Sequence, residues 1–254
     1  MNLKNFEANS CRLGCGWQNE VLAGNIPNGF LRGDRVRHLD RRSGVFFMSW
    51  EPDRDEYPIR GLDVSHHLGE IDWTEVAGDD ISFVYMKATE GGDFKDSAFA
   101  RNWAGAGSVG LARGAYHYFS LCKPGREQAG NFLDVLPDDP NMLAPVLDLE
   151  FSTNCARRPP VDDVLKEISD FVAQVEFSTG KQVILYAPEE FYRAYLKGQG
   201  LNRRLWTRSI WHSPSYTKDW VLWQYQDSGT IKGISGNVDL NVLNAEAAVN
   251  DLKT

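Results

Sequence analysis

Asp148-Leu149-Glu150 places two carboxylates two residues apart, at the end of the apolar run Met142-Leu143-Ala144-Pro145-Val146-Leu147. On an extended strand alternate side chains share a face, so both acids point the same way with Cα atoms roughly 6.6 Å apart. Like charges held that close push their proton affinities apart, so that one group keeps its proton near neutral pH while the other ionises. Acid-catalysed cleavage of a glycosidic bond needs that division of labour: a protonated carboxyl for the leaving oxygen and a second carboxyl at the sugar centre. A strand end carrying two solvated acids is the plain alternative, and the rest of the chain weighs against it.

The elements that would carry these acids begin at Ile59. Short apolar segments at 62–65, 81–88, 114–119, 143–150 and 183–186 read as strands, with helical periods between them. The clearest helix is 161–177, where Val161, Val164, Leu165, Ile168, Phe171, Val172 and Val175 recur at three- and four-residue steps. Pro159-Pro160 precedes it and Gly180 follows, as start and stop signals should. Strands alternating with such helices imply βαβ units and a parallel sheet. Segments 204–210, 220–225 and 237–241 are strand-like but joined by short, turn-rich links. The expectation is an α/β fold, a barrel whose last part has lost its helices. Residues 1–58 are rich in Gly, Asn and Arg without a sustained period. They are expected to form an N-terminal extension, with a short hairpin through Val45-Phe46-Phe47-Met48.

In parallel α/β architectures reactive groups collect at the carboxyl ends of strands. Taken in order, those ends carry Asp63, Lys87 and Glu90, Tyr116 and Tyr118, Asp148 and Glu150, Tyr186, Arg208, Gln224 and Asp239. Asp63, Asp148, Glu150 and Asp239, with Glu90, several aromatics and an amide, would therefore meet on one rim. Two look-alike motifs fail on context. Gly105-Ala106-Gly107-Ser108-Val109-Gly110 has the spacing of a dinucleotide fingerprint but precedes a strand instead of following one, so it reads as a helix-ending turn. The same stretch lacks the glycine two residues before Ser108 that a serine-hydrolase elbow requires. No metal is expected, because His66, His67 and His117 lack a ligand spacing and Cys11-x₃-Cys15 has no second pair. No cofactor is expected either.

The net charge of −8 over 254 residues and a pI near 5.2 argue against nucleic acid as a partner. No stretch approaches the roughly 20 apolar residues of a membrane span, and no secretory signal is visible at the N-terminus. Eight Trp and nine Tyr supply flat faces that suit stacking on sugar rings as well as core packing. On that ground Tyr116, Tyr118, Tyr186 and Trp223 are candidates for a sugar groove, joined by Lys87, Glu90, Arg208 and Gln224. Cys122 and Cys155 follow the third and fourth strands on the rim side, close enough in this reading for a disulfide.

Gly61-Leu62-Asp63-Val64-Ser65-His66-His67, Ile71-Asp72-Trp73, Phe83 to Gly91, Arg113 to Phe119, Leu147-Asp148-Leu149-Glu150, Trp223-Gln224-Tyr225 and Val238-Asp239-Leu240-Asn241 together resemble glycoside hydrolase family 25. These are the lysozymes also called Chalaropsis-type muramidases. The resemblance runs from about Ile59 to the C-terminus, so 59–254 is expected to be the catalytic domain. It implies an irregular, TIM-barrel-like β/α barrel of five βα units and three further strands. It also implies hydrolysis of the β-1,4 bond between N-acetylmuramic acid and N-acetylglucosamine in peptidoglycan glycan strands, by a monomer acting on the cell wall outside the cytoplasm or in the periplasm. By position, Glu150 would be the general acid, Asp148 its assistant, and Asp63 and Asp239 the family's other two rim acids. Participation of the substrate's N-acetyl oxygen and direct activation of water both stay open. One departure is Leu68, where family members commonly carry Gln or Asn. The alternatives are a chitinase-like barrel glycosidase, against which Val146 stands where D-x-D-x-E needs an acid, and a catalytically inactive cell-wall glycan-binding module, against which all four acids are retained.

Overall fold

In the computed structural model, residues 33–39 and 46–254 are described, apart from 153, 154 and 211, with backbone alone for 33–39 and 46–50. Cys11 and Cys15 lie outside the described residues. Strands β1 (Gly33–Leu39) and β2 (Phe46–Pro52) pair antiparallel as a hairpin. Phe46, Phe47 and Met48 of the expected segment lie in β2, and Val45 is outside the described residues. Tyr57, further on, packs its ring 6.1 Å from that of Trp220 and 5.7 Å from that of Trp223.

Five strand–helix units follow. They are β3 (Arg60–Val64) with α1 (Trp73–Ala77), β4 (Phe83–Glu90) with α2 (Phe99–Ser108), β6 (Ala112–Tyr118) with α3 (Gly125–Leu133), β7 (Val146–Asp148) with α4 (Val161–Thr179), and β8 (Ile184–Pro188) with the short α5 (Glu189–Phe191). The two-residue strand β5 (Phe94–Lys95) folds back on β4. Then β9 (Leu205–Arg208), β10 (Trp220–Gly229) and β11 (Val238–Leu243) come without intervening helices. Among the described residues, eight strands close in the order β3-β11-β10-β9-β8-β7-β6-β4, with β3 and β4 paired in parallel to complete the ring. Seven run parallel, and β11 runs antiparallel to both of its neighbours. The expected irregular barrel of five βα units and three further strands is the fold observed.

Strand alternation sorts the side chains into two layers. Leu62, Val84, Met86, Ala115, Leu147 and Leu185 point outward into a core shared with Ile168, Phe171 and Val175 of α4. That helix has the stripe its sequence predicts, with acids Asp162 and Asp163 in its first turn, where the positive end of the helix dipole favours them. Phe83, Tyr85, Val146, Ile184, Trp206 and Leu222 point inward and pack as a second buried cluster. Two glycines make room for these rings. A Cβ on Gly61 would lie 2.3 Å from the ring of Phe83, and one on Gly114 would lie 2.2 Å from that of Tyr85. The interior is thus plugged by aromatic rings beneath the rim, and the polar residues of the next layer up sit on that floor. The Gly105–Gly110 stretch ends α2, with Gly110 at φ 78°, as expected of a helix-ending turn.

Candidate active site

The acids reach the rim from two parts of the ring, Asp63 and Asp239 from the paired strands β3 and β11, Asp148 and Glu150 from the end of β7. Asp63 is the fourth residue of β3, and Asp239 stands directly opposite it in the antiparallel β3–β11 pairing. Asp148 is the last residue of β7, level with Tyr118 on β6 and Tyr186 on β8. Glu150 lies beyond the strand, which corrects the expectation that 143–150 is one extended segment. The backbone N–H of Leu149 still bonds the carbonyl of Tyr186 at 2.9 Å, but pairing ends there and the chain turns away. Asp148 therefore sits in the barrel wall, buried, while Glu150 is half-buried nearer the mouth.

The hydrogen bonds inside the rim are asymmetric. Asp63 Oδ2 accepts from Asn241 Nδ2 at 2.7 Å and from Gln224 Nε2 at 3.1 Å. Each amide is held from behind: Trp206 Nε1 donates to Asn241 Oδ1 at 2.9 Å, and the Tyr186 hydroxyl donates to Gln224 Oε1 at 2.9 Å. Asp239 also shares a hydrogen bond with Asp63. Asp148 differs, because its Oδ1 is buried and has no hydrogen-bond partner among the described residues.

Burial is the first cause of every shift in this cluster, since the charged form of a carboxyl loses its hydration there. Burial pushes Glu150 up to about 7, opposed by the Arg208 charge and reinforced by Asp63. Burial, then the Asp63 charge, pushes Asp239 up to about 8. Asp148 is raised well above the ordinary carboxylate value by burial and then by Glu150, with Lys87 opposing. Burial also raises Asp63, but the Asn241 and Gln224 amides pull it back. The site thus holds protons on carboxyls at a pH where free carboxyls have lost them.

Lys87 rises from the floor of β4, with Nζ 2.6 Å from Glu90 Oε2 and 4.8 Å from the centre of the Tyr118 ring. Its charge reaches both Asp148 and Glu150. Tyr116 lies amid the acids, and its hydroxyl is pushed well up by burial and then by Asp63, Asp148 and Asp239. The Tyr118 hydroxyl donates to the Ser152 carbonyl, which ties β6 to the segment after Glu150. Arg208 pairs with Asp227 at 2.6 Å at the edge of the mouth. Tyr186 and Gln224 belong to the network around Asp63. Trp223 is not brought to the acids: it faces outward, 1% exposed, with its indole N–H on the Ser209 carbonyl and its ring among Tyr57, Trp220 and Tyr225. The step from Trp223 to Gln224 crosses the sheet, so only the second can see the interior. A disulfide joins Cys122 to Cys155, linking the loops after β6 and β7.

Sequence reasoning passed over Trp206 and Asn241 as site residues. Their signal is the two-residue period: Asn241 shares a strand face with Asp239, and Trp206 shares one with Arg208. His66 Nδ1 is 2.7 Å from Asp96 Oδ2, and His117 is buried on the outer face, 2.7 Å from Thr89 Oγ1 and pushed down to about 3 by burial. Among the described residues, no three His, Cys, Asp or Glu side chains group as a metal site would require.

The sequence profile of "Glycosyl hydrolases family 25" matches residues 62–234. The "Uncharacterized protein YegX" of Escherichia coli (strain K12) is 36% identical over 196 residues, covering 74% of this chain and 70% of that one. "Lysozyme M1" of Streptomyces globisporus is 32% identical over 207 residues, covering 76% and 70%. Among solved structures, a family 25 glycosyl hydrolase from Bacillus anthracis superposes with a TM-score of 0.72 at 36% identity, covering 78% of this chain and 94% of that one.

Proposed function

The chain belongs to glycosyl hydrolase family 25, and from that premise we propose that it is a peptidoglycan muramidase in which Glu150 is the general acid. The observation that carries the residue assignment is the contrast within one pair of acids. Glu150, half-buried beyond the strand end, keeps its proton up to about pH 7, while Asp148, whose carboxyl burial also raises, is enclosed in the barrel wall with Oδ1 unbonded. A glycan strand lying across the rim would offer its glycosidic oxygen to Glu150. As the C1–O bond breaks, the Glu150 proton passes to the leaving oxygen and positive charge develops at C1. Asp148 is proposed to orient the N-acetyl group or the water that attacks C1, which it can do while protonated, or, once ionised, to stabilise that charge. Asp63 and Asp239 shape the proton distribution around them. Lys87, Glu90, Tyr116, Tyr118, Tyr186, Arg208 and Gln224 are proposed to contact or frame the sugar.

The proposed catalytic domain is 59–254, with residues 1–58 as an extension, acting as a monomer on the cell wall and without nucleic acid as a partner. No helix among the described residues is long and apolar enough to cross a membrane. The test is incubation of the purified protein with peptidoglycan and identification of the new reducing ends. N-acetylmuramic acid ends are expected. N-acetylglucosamine ends would replace this reading with another glycosidase, and binding without cleavage would favour the glycan-binding module.

A further inference from the structure

We infer that Trp206 and Asn241, together with Tyr186 and Gln224, form a two-armed clamp that makes Asp63 the anion of the Asp63–Asp239 pair and leaves the shared proton on Asp239. The inference rests on the muramidase reading only for its catalytic consequence; the clamp itself stands on geometry.

The stronger arm cannot be turned round. An indole N–H donates and cannot accept, so the group facing Trp206 Nε1 must be the Asn241 oxygen. The amide is planar, and its Nδ2 is thereby aimed at Asp63 Oδ2, 2.7 Å away. The other arm repeats the pattern, with the Tyr186 hydroxyl on Gln224 Oε1 and Gln224 Nε2 on the same Asp63 oxygen. Trp206, Asn241 and Gln224 are all buried, so water does not compete for these bonds. Two N–H donors on one oxygen favour the carboxylate over the acid, whose O–H would compete with them. Asp239 has no such pair of amides in its described surroundings, and its hydrogen bond to Asp63 is best made as the protonated partner.

The other charged and titratable groups facing Asp63 are Arg208 on β9, Asp148 and Glu150 at the end of β7, and the hydroxyls of Tyr116 and Tyr186. Arg208 favours the Asp63 anion and the two acids oppose it. The two amides add direct N–H bonds to its Oδ2, at 2.7 Å and 3.1 Å. Trp206 and Asn241 are thus positioning residues. They act through Asp63, by deciding which rim acid is charged beside Glu150, whose own proton the Asp63 charge helps to retain.

The test is carboxyl titration of the full chain by carbon-13 NMR with labelled Asp, using D63N and D239N spectra to assign the two signals. Asp63 is expected to ionise at lower pH than Asp239 in the unaltered protein. In W206F the Asp63 midpoint should rise by about one unit, roughly tenfold in proton affinity, and the gap to Asp239 should narrow. Q224M should act in the same direction. The alkaline limb of kcat should shift in both variants more than KM does. Ionisation of Asp239 before Asp63 in the unaltered protein overturns the clamp and needs no variant to fold. An Asp63 midpoint unmoved in folded W206F and Q224M overturns it as well. The titration does not depend on turnover. Failure to cleave peptidoglycan with the expected ionisation order would therefore remove the muramidase reading and leave the clamp, whereas cleavage with the reversed order would do the opposite.

Discussion

Asp148 is the last residue held in strand β7, and Glu150, two positions on, has already left the sheet. The pair therefore does not share one environment as an ideal strand would have it. Asp148 is enclosed by β6 and β8, beside Tyr118 and Tyr186, whereas Glu150 stands where the chain opens toward the mouth. Two acids at one strand end acquire unequal surroundings because the strand stops between them.

Glu150→Gln should reduce peptidoglycan cleavage by about 10²–10⁴-fold, because the amide keeps the shape but cannot give up a proton to the leaving oxygen. The far-ultraviolet circular dichroism spectrum should not change. Turnover near that of the unaltered enzyme would remove Glu150 as the acid.

Activity should fall as pH rises through about 7, since the general acid must be protonated and burial holds Glu150 at about that value. Arg208 opposes this rise by favouring the charged form, so Arg208→Ala should move the alkaline limb of kcat to higher pH. A limb that moves to lower pH would contradict the sign of the Arg208 effect.

From Glu150, Asp239 and His117, stability should decline on both sides of a maximum near about pH 4. Glu150 and Asp239 are raised to about 7 and about 8 in the folded chain, so their contribution is complete below the unfolded carboxyl values and is lost as pH rises through 7 and 8. For Glu150, moved from 4.5, that is on the order of 3 kcal/mol. His117 has the opposite sign: lowered from 6.5 to about 3, it stabilises above 6.5 and loses that contribution as pH falls toward 3. Urea denaturation from about pH 2.5 to about pH 9 checks both limbs, and Glu150→Gln should flatten the alkaline one.

Gly114→Ala should destabilise by about 1–3 kcal/mol, because its methyl group would enter the Tyr85 ring inside the barrel, where Tyr85 also bonds the Ala144 carbonyl. Gly130→Ala is the control, since nothing lies within 4 Å of the added carbon. Thermal melts that do not separate the two variants would show that the interior yields.

Reducing the Cys122–Cys155 bond should lower stability by roughly 3–4 kcal/mol, the chain-entropy cost expected for a loop of this length, whose ends are 33 residues apart. Cys155→Ser should reproduce the loss, and peptide mapping without reductant should recover the linked pair. Equal melting temperatures with and without reductant would count against the contribution.

The sequence by itself carried the alternation of strands and helices, the loss of helices after β8, the outward stripe of α4 and the four rim acids. These depend on local period and on residue type, which are written into consecutive positions. It also pointed to Gln224 and Tyr186, at strand ends. The tertiary structure decided where β7 ends, because the last backbone bond at Leu149 depends on β8 across the sheet. It decided that Trp223 faces away from the acids and that Asn241 and Trp206 stand behind Asp63. The last of these join β3 to β9 and β11, which lie more than a hundred residues further along the chain. They arise only when β11, running against its neighbours, closes the ring and brings Asp239 opposite Asp63.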